Sequence, residues 1–180
     1  MKKIFIIVVA ILIVAGAAWY FMRPSSSAAV KTYINSTLGF EIKYPETWRS
    51  EECTYDQYGV VSFGDYTEPL LICNSDAPPL SYVNVNAIGP IGEYDRLIQN
   101  TQNGLDNVQR SDTELDGEPA VRIYGETRAT EGPGVPVGIK MTLVFTKHAD
   151  KIYLVSHWNL ENKDHTAELE QMLKSFRFTN

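Results

Sequence analysis

Cysteine is scarce in this 180-residue chain: only Cys53 and Cys73 are present, and their spacing excludes a CxxC redox site. Histidine is nearly as scarce, with His148, His157 and His165 and no HExxH-like companion to complete a zinc site. No Gly-x-Ser-x-Gly, Cys/His arrangement or serine with a lysine at motif spacing is present, so no familiar nucleophile can be named. Basic charge is short as well. After Arg23 the chain holds 13 bases against 22 acids, with no basic stripe carrying interleaved aromatics, which excludes nucleic acid as a partner. The glycines of EGPGVPVG are interrupted by prolines and followed by no helix, so they make no phosphate-cradling loop. There is no internal repeat.

What is present is an ordinary globular composition, 44% apolar and 21% charged, plus one long apolar run. Ile4 to Met22 is 19 residues without a charge. At about 1.5 Å per helical residue it reaches across a hydrocarbon core of about 30 Å. Lys2 and Lys3 precede it and only Arg23 follows at once, so the positive-inside rule leaves the N-terminus in the cytoplasm and everything after Arg23 outside. Residues 1–23 therefore read as a single-pass transmembrane anchor, with the aromatics of Trp19-Tyr20-Phe21 as an interfacial belt. The alternative is a signal peptide cleaved after Ala15-Gly16-Ala17. No lipobox cysteine follows. Residues 24–32, with a proline and a serine triplet, read as a linker, and residues 33–180 as one extracytoplasmic domain at the cell membrane.

Within that domain Phe40, Ile42 and Tyr44 alternate with Glu41 and Lys43, the period of a half-buried strand that Pro45 ends, and Glu46-Thr47 turn Trp48 back to the core. Further strands are expected at Val60 to Phe63, Leu70 to Cys73, Tyr82 to Ala87 and Ala120 to Arg128. A hairpin is expected to turn at Ala149-Asp150, with Ile139, Met141, Leu143 and Phe145 on the face of Ile152, Leu154 and Trp158. Its reverse face, with Thr142, Thr146, Tyr153 and His157, is mixed. One helix is predicted from Gly92-Glu93 to a C-cap at Gly104. A second is predicted after Asp164 as N-cap, with Leu169, Met172, Leu173 and Phe176 at helical spacing. The class is α+β, an antiparallel sheet flanked by helices.

GFEIKYPETW resembles the opening strand and turn of PsbP-like domains, whose form Gly-Phe-x-aliphatic-x-Tyr-Pro-x-x-Trp is matched by Gly39, Phe40, Ile42, Tyr44, Pro45 and Trp48. ELDGEPAVRIYGE is similar to the family's midpoint, and LEQMLKSFRF to its closing helix and last short strand. The resemblance spans about Tyr33 to Phe178. It implies an α/β/α sandwich around an antiparallel sheet and a role in binding or assembly, and it supplies no catalytic residue.

The candidates follow. Cys53 and Cys73, exported together, are expected to form a disulfide closing a loop of about 20 residues, worth roughly 3 kcal/mol; two unpaired thiols are the alternative. His165 and Glu168 are an i, i+3 pair that could share a metal but lack further ligands, so a solvated imidazole beside capping acids is expected instead. Acid pairs such as Glu51-Glu52, or Glu161 with Asp164, read as solvated. Asn35-Ser36-Thr37 matches a glycosylation sequon. Partner binding is expected on two loops: CTYDQYG, through Tyr55 and Tyr58, and TRATEGPGVPVG, through Gly132, Pro133, Gly134, Val135 and Pro136. The expected function is a membrane-anchored binding or assembly domain without catalysis and without a cofactor or metal, whose partner is a protein or an envelope component. An exported hydrolase or metal-dependent enzyme, or an envelope ligand carrier, are the alternatives.

Overall fold

The alternation in Phe40–Pro45 forms the strand it predicts. The computed structural model describes residues 29–55, 58–65, 82–128, 137–159 and 163–179. In it Phe40–Pro45 is β2, with Phe40, Ile42 and Tyr44 buried and Lys43 exposed. β1 (Val30–Asn35) pairs antiparallel on one side of β2, and the two-residue strand β10 (Arg177–Phe178) on the other. The Trp48 N–H donates to the Pro45 carbonyl at 3.0 Å, closing the turn, and the Trp48 ring is 4% exposed. Proline thus ends the strand without loss of core, because the turn it starts returns an indole to the interior.

The remaining strands form a second, seven-stranded antiparallel sheet. They are β3 (Arg49–Tyr55), β4 (Tyr58–Gly64), β5 (Val83–Pro90), β6 (Leu105–Leu115), β7 (Glu118–Thr127), β8 (Lys140–His148) and β9 (Lys151–Trp158), in the order β3-β4-β5-β9-β8-β7-β6. The single expected sheet is therefore two. Both hydrogen-bonding edges of β2 are taken by β1 and β10, so β2 packs across the large sheet instead of joining it.

A 3₁₀ turn at Ile91–Glu93 leads into α1 (Tyr94–Asn103), and α2 (Thr166–Ser175) precedes β10. α1 covers one face of the large sheet: Tyr94 and Ile98 pack with Ile123, Met141, Leu143, Phe145 and Ile152. The face expected for the β8–β9 hairpin is thus the one observed. α2 and the small sheet cover the other face, where Phe40, Ile42, Leu169, Met172 and Phe176 meet Val85, Val144, Tyr153 and Val155. The mixed face of the hairpin is on this side, and Thr142, Thr146, Tyr153 and His157 are all buried there, because the small sheet and α2 lie over them.

Asp116 and Gly117 both take positive φ, 52° and 80°, as a two-residue turn between antiparallel strands demands, and join β6 to β7. β6 is a strand the hydrophobic pattern does not announce. It is an edge strand, mostly exposed and polar, and its ladder with β7 shifts register between Asp106 and Gln109, where Asn107 takes φ 53°. The strand expected at Leu70 to Cys73 lies outside the described residues.

Candidate functional site

β7, β8 and β9 carry Tyr124, Thr142 and His157 in one cross-strand row, Tyr124 opposite Thr142 and Thr142 opposite His157. Residues opposite one another share a face, and here it is the face under α2. One step along, the Asn159 N–H donates to the Lys140 carbonyl at 2.9 Å, which holds Asn159 beside the end of β8. Asp164, just before α2, and Thr166, its first residue, arrive from the other side. Together with Met141 these residues line a cavity of about 180 Å³.

Local chemistry places the helix start there. The Thr166 N–H donates to Asp164 Oδ1 at 3.0 Å, while His165 has non-helical backbone (φ −105°, ψ 26°) and occupies the N-cap position. The expected cap is therefore displaced by one residue: Asp164 supplies the oxygen from just outside the helix. Hydrogen bonds from the Thr166 hydroxyl and backbone N–H hold the Asp164 carboxyl below the usual carboxylate range.

His157 is 3% exposed, and its Nε2 has no hydrogen-bond partner. Burial pulls its pKa down to about 4. His165 and Arg122 add to the fall, and Asp164 and Glu168 oppose it. The Oδ1 of Asn159 is likewise buried without a partner. A buried polar atom left unpaired costs about 1–3 kcal/mol, and here two residues that line one cavity each carry one. Lys140 and Asp164 add one positive and one negative charge, both on exposed residues.

His165 is not the solvated imidazole expected. Its ring lies against Tyr82 and Trp48, at centroid distances of 4.0 Å and 5.2 Å, and both ring nitrogens are buried without a hydrogen bond. Glu168 Oε2 lies 3.7 Å from Nδ1, beyond hydrogen-bonding distance. Trp48 returns from the Pro45 turn into this aromatic corner, and the ring is captured there. Among the described residues no group of three or more His, Cys, Asp or Glu side chains could hold a metal ion. His148 ends β8, where its Nδ1 lies 3.1 Å from Glu118 Oε1 and its ring stacks on Phe178 at 3.8 Å.

None of the other sequence candidates that fall among the described residues lines this cavity. Tyr55 and Tyr58 are not loop residues: they end β3 and begin β4, opposite one another in register, and Tyr58 is half-buried. Pairing continues to the tip because only two residues lie between them. Cys53 is buried on β3 opposite Val60; Cys73 lies outside the described residues. Gly132, Pro133, Gly134, Val135 and Pro136 also lie outside them, as does Glu161. Glu52 is engaged rather than simply solvated, accepting hydrogen bonds from the Tyr33 hydroxyl and, at 2.8 Å, from Asn35 Nδ2. The sequon asparagine is 6% exposed, and its Oδ1 accepts from the Leu38 N–H at 2.8 Å, so the side chain is spent on the β1–β2 turn.

Sequence reasoning missed the cavity because it placed His157 on a mixed face with no element assigned to cover it. The available signal was the pair of short polar segments His157-Trp158-Asn159 and Asp164-His165-Thr166, five residues apart and ending one strand and opening one helix.

Among the described residues no helix is long and apolar enough to cross a membrane; residues 4–22 lie outside them. No curated protein matches the chain. Similar solved structures include cyanobacterial PsbP (CyanoP) from Synechocystis sp. PCC 6803, at 15% identity over 86% of this chain and 95% of that one, with a TM-score of 0.49. Another is LpqN, involved in cell envelope biogenesis of Mycobacterium tuberculosis, at 15% identity over 87% and 88% of the two chains, with a TM-score of 0.42. Residues 4–178 match the family described as PsbP-like protein, which takes in the strand-and-turn motif, the β6–β7 turn and the closing helix: the chain belongs to the PsbP-like family.

Proposed function

We propose that this PsbP-like domain is a binding or assembly module of the cell envelope, held at the membrane by residues 4–22 and acting outside the cytoplasm without catalysis. The apolar run flanked by Lys2 and Lys3 supports the placement, and the family match reaches back to residue 4 to include it. His157 carries the functional reading. It lines the cavity as a buried, neutral ring and so gives that wall polarity without charge, while a base with a pKa of about 4 is poorly matched to proton abstraction near pH 7. The protein or envelope partner is read at the β3–β4 tip through Tyr55 and Tyr58, with residues 132–136 as a second contact. The disulfide between Cys53 and Cys73 belongs to the same reading; it is supported by Cys53 being held as a half-cystine when Cys73 is the only other cysteine.

The test is crosslinking with mass spectrometry in native membranes, comparing the wild type with a chain carrying Tyr55→Ala, Tyr58→Ala and a shortened 132–136 segment. Loss of a specific crosslinked partner at unchanged melting temperature supports the reading, and an unchanged partner moves the interface to the sheet or helix faces. N-terminal sequencing of membrane-extracted protein decides the anchor, since a mature start at Ala18 means removal. Turnover of an ester, phosphate or peptide substrate that depends on His157 would overturn the absence of catalysis.

A further inference from the structure

We infer that β6 pairs with β6 of a second copy of this chain, antiparallel about a two-fold axis at Ser111, so that the large sheets of two molecules run on as one. This goes beyond the partner surface proposed above; only its placement at a membrane rests on the reading of residues 4–22 as an anchor.

The edge is open. β6 ends the order of the large sheet, and among the described residues its free side meets no strand. Native edge strands are guarded by bulges, prolines, lysines or a covering element. Here the bulge sits at one end, between Asp106 and Gln109, and from Gln109 to Leu115 the ladder with β7 is regular, with neither proline nor lysine. Gln109, Arg110, Ser111 and Asp112 are exposed. Charge then selects the partner. Arg110 and Asp112 lie opposite Ile123 and Val121 of β7, so they stand on the α1 face of the sheet with only apolar neighbours across the ladder. Among the described residues neither side chain has an ion pair or a hydrogen bond. A two-fold axis normal to the sheet keeps each face in place, and opposite residues of antiparallel strands share a face, so self-pairing must be centred on one residue. Centred on Ser111, it sets Arg110 of each copy against Asp112 of the other, a square of alternating charges, and on the reverse face sets Gln109 against Thr113. Centring one residue earlier sets Arg110 against Arg110, and one residue later Asp112 against Asp112. The same axis suits two anchored copies. Val30 opens the small sheet, which lies on the face of the large sheet opposite α1. Both small sheets therefore stay on one side of the pair, both chains lead back to one membrane, and confinement there raises the local concentration of the edge.

The experiment reconstitutes the full-length chain in phosphatidylcholine liposomes, with donor and acceptor fluorescent proteins fused after Asn180, and reads energy transfer as lipid is added. Transfer should persist beyond random crowding and be competed away by unlabelled wild type. Arg110→Asp or Asp112→Arg alone should weaken association about tenfold, because either sets like charges opposite one another at two places. Both substitutions in one chain should restore it, and so should mixing the two single variants, whose edges then carry opposite signs. Damage to the fold would not be repaired by mixing, and melting temperatures should match the wild type because both side chains are exposed. Should a charge variant fail to fold, cysteine pairing decides. Ser111→Cys, on the axis, should give a disulfide-linked dimer on oxidation with copper phenanthroline, whereas Glu114→Cys, set against Val108 of the second copy, should not. The inference is overturned if transfer never exceeds random crowding, if the double variant and the mixture stay as weak as the singles, or if the two cysteine variants cross-link equally. If N-terminal sequencing shows residues 4–22 removed, the same variants are read on the mature chain by sedimentation equilibrium: pairing retained there overturns the membrane placement alone, and pairing absent overturns the inference.

Discussion

The imidazole of His165 packs 4.0 Å from the Tyr82 ring, centroid to centroid, and neither of its nitrogens has a hydrogen-bond partner. Here a polar ring does the work of an aromatic wedge between Tyr82 and Trp48, and its polar atoms are a cost. His165→Phe should therefore keep or raise the melting temperature, by a few degrees at about 1 kcal/mol for a chain of this size. Differential scanning calorimetry checks this, and a fall of several degrees would mean that the nitrogens hold a partner in solution.

His157 makes stability depend on pH. Its folded pKa of about 4 lies below the ordinary value of 6.5, so within that window the unfolded chain binds a proton that the folded chain does not. The contribution is fully present above pH about 6.5, falls as pH drops, and levels off below pH about 4, for a total of up to about 3 kcal/mol. The charges facing the ring are Asp164 and Glu168, which lessen the effect, and His165 and Arg122, which enlarge it. Melting curves from pH 4 to pH 7 should be flatter in His157→Gln than in the wild type; identical slopes would contradict the assignment.

Tyr153 ties the two sheets together. From β9 its hydroxyl donates to the Leu38 carbonyl at 2.6 Å, in the turn between β1 and β2, with both residues buried. Tyr153→Phe should cost about 1–2 kcal/mol, since it strands a buried carbonyl while leaving the packing in place. Urea denaturation measures it, and a change below about 0.3 kcal/mol would show that water reaches the turn.

Trp48→Ala should cost about 3–5 kcal/mol, because the indole is 4% exposed and its removal opens space beside Tyr82 and His165 that the strand-end turn cannot close. Chemical denaturation is the measurement, and a loss under about 1 kcal/mol would mean that the corner collapses.

The disulfide has its own test. Intact mass of the exported protein should be two hydrogens lighter than after reduction, and replacing Cys53 and Cys73 by serine should cost roughly 3 kcal/mol. Equal masses before and after reduction would reject it.

Much of this could be read directly from local sequence. Alternation in Phe40–Pro45, the turn pair Asp116-Gly117, the β8–β9 hairpin about Ala149 and the apolar stripe of α2 depend on contacts within a few residues, and short-range sterics decide them. So does the family motif, which is a strand and its own turn. Tertiary structure decided what depends on distant partners. Polar β6 is a strand only because β7 offers a ladder, and β2 leaves the large sheet because β10, more than 130 residues later, takes its second edge. The burial of His157 and His165, and with it the cavity, exists because the small sheet and α2 close over a face whose residues look half-polar in one dimension. Periodicity reports which residues share a face; it cannot report what comes to lie on it, and that covering turned the polar row of Tyr124, Thr142 and His157 into a site.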